Sequence, residues 1–409
     1  MNNTINLPAS VFVTGFALLL FLSVGCQPKL SQYKNTDMPV DKQATKETSA
    51  LYLNLKTHAK QTTLFGHQDD LAYGVHWQNE PGRSDVKESA GSYPAVYGWE
   101  VGDIGNETAV INLDTVKFDN MRNWIKEGYQ RGGVITISWH MDNPVSDGSA
   151  WDTTEAVSHI LPGGSHHQKY LVKLDRFAAF IKTLSVRSGF LGFGKEPIPL
   201  IFRPFHEMTG GWFWWGEGHR TDQEFRELWQ FTFTYLKDQQ KLHNLLYAYS
   251  PGSPAGQKDK SEFWEPYPGD KYVDIIGVDD YHTLQRESEG DENEGKDGTQ
   301  MVGEMLSWLV NEADKRDKIP AFTETGLEGV SQPTWFTDKL LKAITYNQKA
   351  SEIAYVMVWR NAMDKRKPGH FYAPYREHSS ATDFKHFYRS PDIMFEDTLP
   401  DLYQLPDLN

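Results

Sequence analysis

The sequence predicts an α/β protein of the (β/α)8 class, a TIM barrel, on two observations. Eight strand-like apolar runs alternate with longer stretches of helical period along the chain. Several of those runs are nearly unbroken Val, Ile, Leu and Phe, as parallel strands buried on both faces require. The competing arrangement, an open doubly wound sheet, would carry a Gly-rich phosphate loop after its first strand. Gly66-His67-Gln68 is no such loop, and the closed barrel is preferred.

In chain order, the first element is an apolar stretch from Val11 to Val24, shorter than the ~20 residues of a membrane-spanning helix. It ends in Leu22-Ser23-Val24-Gly25-Cys26, which resembles a bacterial lipobox, although no Lys or Arg precedes the run. Residues 1–25 are therefore expected to be a lipoprotein signal peptide, with Cys26 lipidated and holding the protein to a membrane of a bacterial cell envelope. Residues 26–48 are polar, with Pro28, Pro39 and mixed charge, and are expected to be a flexible tether. Residues 49–409 are expected to form the barrel, as a monomer. Cys26 is the only cysteine, so no disulfide supports the fold and the core must do so.

The expected strands are Thr63–His67, Ala95–Glu100, Val134–His140, Leu200–His206, Leu245–Tyr249, Ile275–Tyr281, Ala321–Glu324 and Ile353–Trp359. Helices are expected over Leu113–Glu127, Lys169–Leu184, Asp222–Lys237, Thr299–Lys315 and Trp335–Ala350, each with apolar residues at three- and four-residue spacing. The connections after the first and fifth strands read as weak helices. Gln285–Gly298, rich in Glu, Gly and Asp, reads as an exposed loop.

A net charge of −14 without a Lys/Arg cluster excludes nucleic acid as a partner. The 13 Trp residues belong mostly to the core, but a sugar-binding cleft would also need exposed aromatic faces. In barrels of this class the residues at the C-terminal ends of strands face the site. Here those ends read His67-Gln68, Trp99-Glu100, His140, His206-Glu207, Tyr249, Asp279-Asp280-Tyr281, Glu324 and Trp359-Arg360. Carboxylates, imidazoles and aromatic rings at nearly every end compose a polyol-binding cleft.

Glu207 and Glu324 end the fourth and seventh strands, across the barrel mouth from each other. Glycoside cleavage with retention needs one carboxyl group to protonate the departing oxygen and a second, about 5–5.5 Å away, to attack the anomeric carbon. His206 and Glu207 are adjacent, so both face the cleft only if the strand ends there. Arg203 is expected beneath the site, either holding a glutamate charged or in an ordinary buried ion pair. The sequence has no HExxH and no paired cysteines, and adjacent His166-His167 point apart. No metal or cofactor is expected, since two-carboxylate chemistry needs none.

Arg203-Pro204-Phe205-His206-Glu207-Met208, with Gly211-Trp212-Phe213-Trp214-Trp215-Gly216, resembles the acid/base motif of glycoside hydrolase family 26. Leu64-Phe65-Gly66-His67-Gln68, Ser138-Trp139-His140, Asp279-Asp280-Tyr281, Thr323-Glu324-Thr325-Gly326 and Val358-Trp359-Arg360-Asn361 match in order, from Leu64 to Asn361. The resemblance implies a retaining hydrolase of β-1,4-mannan, glucomannan or galactomannan, with Glu207 as acid/base and Glu324 as nucleophile. It also implies that Tyr281 bonds the nucleophile, that His206 and His140 lie at the −1 sugar, and that Trp212 and Trp359 wall it. Arg360 would reach the −2 sugar, and Trp151 is a candidate for a leaving-group subsite. Xylan and mixed-linkage β-glucan are the alternative substrates within the family. A lipoprotein that captures oligosaccharide without cleaving it is the alternative outside enzymes.

Overall fold

Eight parallel strands close on themselves: β1 (Thr63–Gln68), β2 (Val96–Glu100), β3 (Val134–Trp139), β4 (Leu200–Pro204), β5 (Leu245–Tyr249), β6 (Ile275–Asp280), β7 (Ile319–Thr325) and β8 (Tyr355–Val358). The computed structural model describes Met1 and residues 29–34, 38–188, 194–287 and 295–407. Cys26, the signal segment and the middle of the expected 285–298 loop lie outside these residues. Each strand pairs with the next, and β8 returns to β1 with Leu64 opposite Tyr355 and His67 opposite Val358. Every residue of all eight strands is buried, which explains their unbroken apolar reading. Their ends lie within two residues of those expected.

The helices depart from expectation where side chains capture backbone. Asn112 accepts the N–H groups of Asp114 and Val116 at 3.0 and 2.8 Å, so the helix expected from Leu113 begins at Phe118 and runs to Gln130. The last expected helix ends at Ile344, not Ala350, and Asn347 accepts the N–H of Ala350 at 2.9 Å instead. The weak connections hold helices of six and four residues, Asp85–Ala90 and Ser261–Trp264. A hairpin of Ser185–Ser188 with Gly194–Pro197 was too short and too polar to read from periodicity, and a two-residue strand Ile393–Met394 beside β1 was too short.

The end of the expected tether is tied down. Val40 donates its N–H to Asp274 at 2.8 Å, Asp41 pairs with His243 at 2.8 Å, and Thr45 caps a helix at Lys46–His58. Asp274 and His243 immediately precede β6 and β5, so this segment packs on the N-terminal face of the barrel, opposite the strand ends that carry the site. The expected boundary at residue 49 therefore falls inside the folded unit. Thr45-Lys46-Glu47-Thr48 is polar but supplies the helix cap and first turn, which a composition-based reading takes for linker.

Two local distortions position the site. β4 stops at Pro204, and Phe205 and Glu207 both take positive φ, 50° and 55°. In β7 the pairing with β6 shifts after Val278, so that Val278 faces Phe322 but Asp279 faces Glu324. The pairing with β8 slips at the same place. This bulge sets Thr323 and Glu324, successive residues, on the same side of the strand, which regular alternation forbids.

Candidate active site

The top of the barrel interior is a polar layer under an open cleft. Arg203 of β4 is buried and bridges two carboxylates, Asp279 at 2.8 Å and Glu324 in a short contact. Asp279 also accepts the hydroxyls of Ser250 at 2.7 Å and Thr323 at 2.8 Å. Arg203 thus faces Asp279 as well as Glu324, and burial of its cation is outweighed by those two negative charges, which raise its pKa. Tyr281 completes the cradle by donating its hydroxyl to Glu324 Oε1 at 2.5 Å. One oxygen of Glu324 therefore meets the guanidinium and the other the phenol, which fixes the carboxylate plane.

Glu207 stands in the same cleft, half-buried, with its N–H donated to Ser250 O at 2.8 Å and its Oε2 accepting Trp212 Nε1 at 2.7 Å. Burial, and then the charge of Glu324, push its pKa up to about 7. The turn after Pro204 is what lets it reach the cleft. His206 is carried the other way: it is 1% exposed, its Nε2 lies 3.1 Å from His140 Nε2, and its Nδ1 has no partner. The structure thus puts His206 beneath His140 and not on the cleft surface. Burial, then Arg203 and His140, lower its pKa far below the usual imidazole value.

His140 lines the cleft and hands its Nδ1 to Glu100 Oε2 at 2.7 Å. Burial opposes its charged form, but Glu100 prevails and its pKa is raised. Glu100 also accepts Ser138 Oγ and the His140 N–H, each at 2.8 Å, and so orients the imidazole from behind. It was legible as a strand end but had no assigned part. Trp151 is half-exposed and stacks on His140, rings 5.1 Å apart and 14° from parallel. It stands in the wall of the central cleft.

The central cleft encloses about 610 Å³ between Glu207, Glu324, Trp212, Trp359, Tyr281 and Tyr372. A second pocket of about 310 Å³ continues from Glu207 and Trp212 toward Gln257, Glu262 and Arg286. Arg360, next to Trp359, turns away into a third pocket and pairs with Asp114 at 2.7 Å. Tyr249, expected among the cleft residues, instead donates to Phe263 O at 2.6 Å on the outside of the barrel, and the next residue, Ser250, takes the inward place. Phe213, Tyr372 and Asp114 were missed because they sit on loops, where position has no periodicity to reveal it. Among the described residues no group of three or more His, Cys, Asp or Glu is placed to hold a metal ion.

A parallel barrel with two glutamates over one cleft, one protonated up to about neutral pH and the other clamped by a guanidinium and a phenol, defines a glycoside hydrolase. The sequence profile described as Glycosyl hydrolase family 26 matches residues 40–305, which takes in Glu207 and stops short of Glu324. A mannan endo-1,4-beta-mannosidase of Bifidobacterium adolescentis is 32% identical over 85% of this chain, which spans 34% of that protein's length. A GH26 beta-mannanase of Bacteroides ovatus is 39% identical, covers 89% of this chain and 99% of its own, and superposes with a TM-score of 0.79. A modular endo-beta-1,4-mannanase of Cellulomonas fimi is 32% identical with a TM-score of 0.76, over 90% of this chain and 79% of its own. The chain belongs to glycosyl hydrolase family 26.

Proposed function

We propose that the protein hydrolyses β-1,4-mannosidic bonds in mannan with retention, Glu207 acting as acid/base and Glu324 as nucleophile. The observation that carries this is the pair itself: Glu207 holds its proton to about pH 7 in the cleft where Glu324 is fixed by Arg203 and Tyr281. Protonated Glu207 donates to the departing glycosidic oxygen while Glu324 attacks the anomeric carbon. The covalent glycosyl-enzyme removes the negative charge of Glu324, which lowers the pKa of Glu207, so that Glu207 then deprotonates the water that releases the sugar. Mannan as substrate is supported by the names of the relatives from Bifidobacterium and Bacteroides.

Glu207→Gln is expected to lower mannan turnover by about 10²–10⁴-fold, the usual worth of a general acid. Formation of the glycosyl-enzyme from aryl mannosides with good leaving groups is expected to survive. Unchanged mannan hydrolysis would overturn the assignment. Parallel reducing-sugar assays on mannan, xylan and lichenan test the substrate, and a preference for either of the latter two would replace mannan. Calorimetric binding with no product from any β-glycan would make the protein a capture lipoprotein.

We further propose that Cys26 is acylated and that the protein works as a membrane-attached monomer in a bacterial envelope; the support is the lipobox-like Leu22–Cys26. Fatty-acid labelling of the wild type and its loss in Cys26→Ser, with the variant recovered as soluble monomer by light scattering, is the expected result. Equal labelling of both would refute acylation at this residue.

A further inference from the structure

The face of the barrel opposite the cleft carries a pocket of its own. It encloses about 640 Å³, within the roughly 300–1,000 Å³ typical of ligand sites. Lys42 of the N-terminal segment, Lys271 before β6, and Arg316 and Lys318 before β7 bring four cations to its wall. Two carboxylates stand among them, Asp270 and Asp317, and both are engaged. Asp317 is in a short contact with Lys56, while Asp270 accepts the Tyr267 hydroxyl at 2.8 Å and lies 3.8 Å from Arg316. A chain with a net charge of −14 thus gathers a local excess of positive charge around one cavity.

Lys318 is the most enclosed of these cations, 9% exposed, and its ammonium donates to Asp270 O at 2.6 Å. That carbonyl takes one of its three donors, and among the described residues no carboxylate pairs with it. Burial lowers its pKa, and the charges of Asp274, Asp270 and Asp317 offset this only in part. An anion in the pocket would supply the missing counter-charge. Tyr52, in the same wall, is buried and offers no face on which a sugar ring could stack. Met38 and Val40, half-buried, place apolar surface beside the cations instead, as a phosphate joined to hydrocarbon requires. Met38 also stands twelve positions after Cys26, so even a fully extended chain keeps the pocket within about 40 Å of that residue.

We infer that this pocket receives the phosphate headgroup of an anionic phospholipid in the membrane to which the protein is attached. Headgroup binding extends the proposed attachment and is tested without the acyl group, so that the two can fail separately. Full-length Cys26→Ser protein is mixed with vesicles of phosphatidylglycerol or of phosphatidylcholine at about 0.1 M salt, and the bound fraction is read by flotation. The net charge of −14 repels the protein from an anionic surface, so a preference for phosphatidylglycerol needs a local cationic site. That preference is the expected result. Adding Lys271→Ala should lower affinity for phosphatidylglycerol about fivefold, since one lysine near such a surface contributes about 1 kcal/mol. Lys318→Met should lower it at least as far, with binding to phosphatidylcholine unchanged in both. Lys365→Ala, at an exposed lysine on the loop after β8 on the cleft side, should change neither. No preference for phosphatidylglycerol, or equal losses from Lys365→Ala and Lys271→Ala, overturns the inference. Saturation of the pocket by inorganic phosphate without a preference for phosphatidylglycerol would make it a site for a free anion and overturn the lipid assignment.

Discussion

Glu207 occupies a backbone position that few side chains tolerate. Its φ of 55°, with Phe205 at 50° two residues earlier, costs of order 1–3 kcal/mol per residue, and the surrounding structure enforces it through the bond from the Glu207 N–H to Ser250 O. What the strain accomplishes is a carboxyl group lifted off the strand axis into the cleft, half-buried and near a second carboxylate. Because burial and Glu324 raise its pKa to about 7, the protonated form needed by the free enzyme is lost above that pH, and kcat/KM is expected to fall through about pH 7 on the basic side. Glu324→Gln removes one of the two causes, so the Glu207 midpoint should move down, as read by carboxyl NMR titration. A midpoint that stays near 7 would mean that burial alone sets it. Both glutamates and Tyr281 were legible from strand ends alone. His206 was not, because whether an adjacent pair shares a cleft depends on two φ angles that residue type does not encode.

At the scale of elements, the decisive feature is the bulge in β7. It brings Thr323 and Glu324 to one side, so that the threonine hydroxyl holds Asp279 while the glutamate meets Arg203. Gly277 of β6 leaves the room for this. A Cβ there would lie 2.4 Å from Thr323 Cγ2 and 2.5 Å from its hydroxyl. Gly277→Ala is therefore expected to destabilise the protein by about 1–3 kcal/mol in urea unfolding, as overpacked cores do. It should also lower kcat by disturbing the Asp279–Arg203–Glu324 chain, and full activity with unchanged stability would show that Thr323 has room to move. The strands themselves were readable because burial on both faces leaves an unbroken apolar signature. The bulge was not, since one extra residue changes register without changing composition. Tyr249 and Ser250 need no such slip: β5 pairs in regular register on both sides, and along it successive residues point to opposite faces, so a choice one residue early takes the outward side chain for the inward one.

For the whole molecule, the closed ring of eight strands was predictable from alternation, because parallel strands need crossovers and the helical stretches supply them. Loops carry the pocket walls, and there the sequence offered only isolated signals such as Trp151, whose place in the fold depended on geometry. The polar segment before residue 49 misled in the opposite sense, since hydrophilic residues can serve as a helix cap as readily as a linker. Its attachment to the face behind the barrel has a consequence for how the protein would meet an insoluble polymer. Should Cys26 carry the proposed acyl group, the described chain nearest to it joins the barrel on the side away from the cleft, so the attachment and the substrate do not compete for the same face.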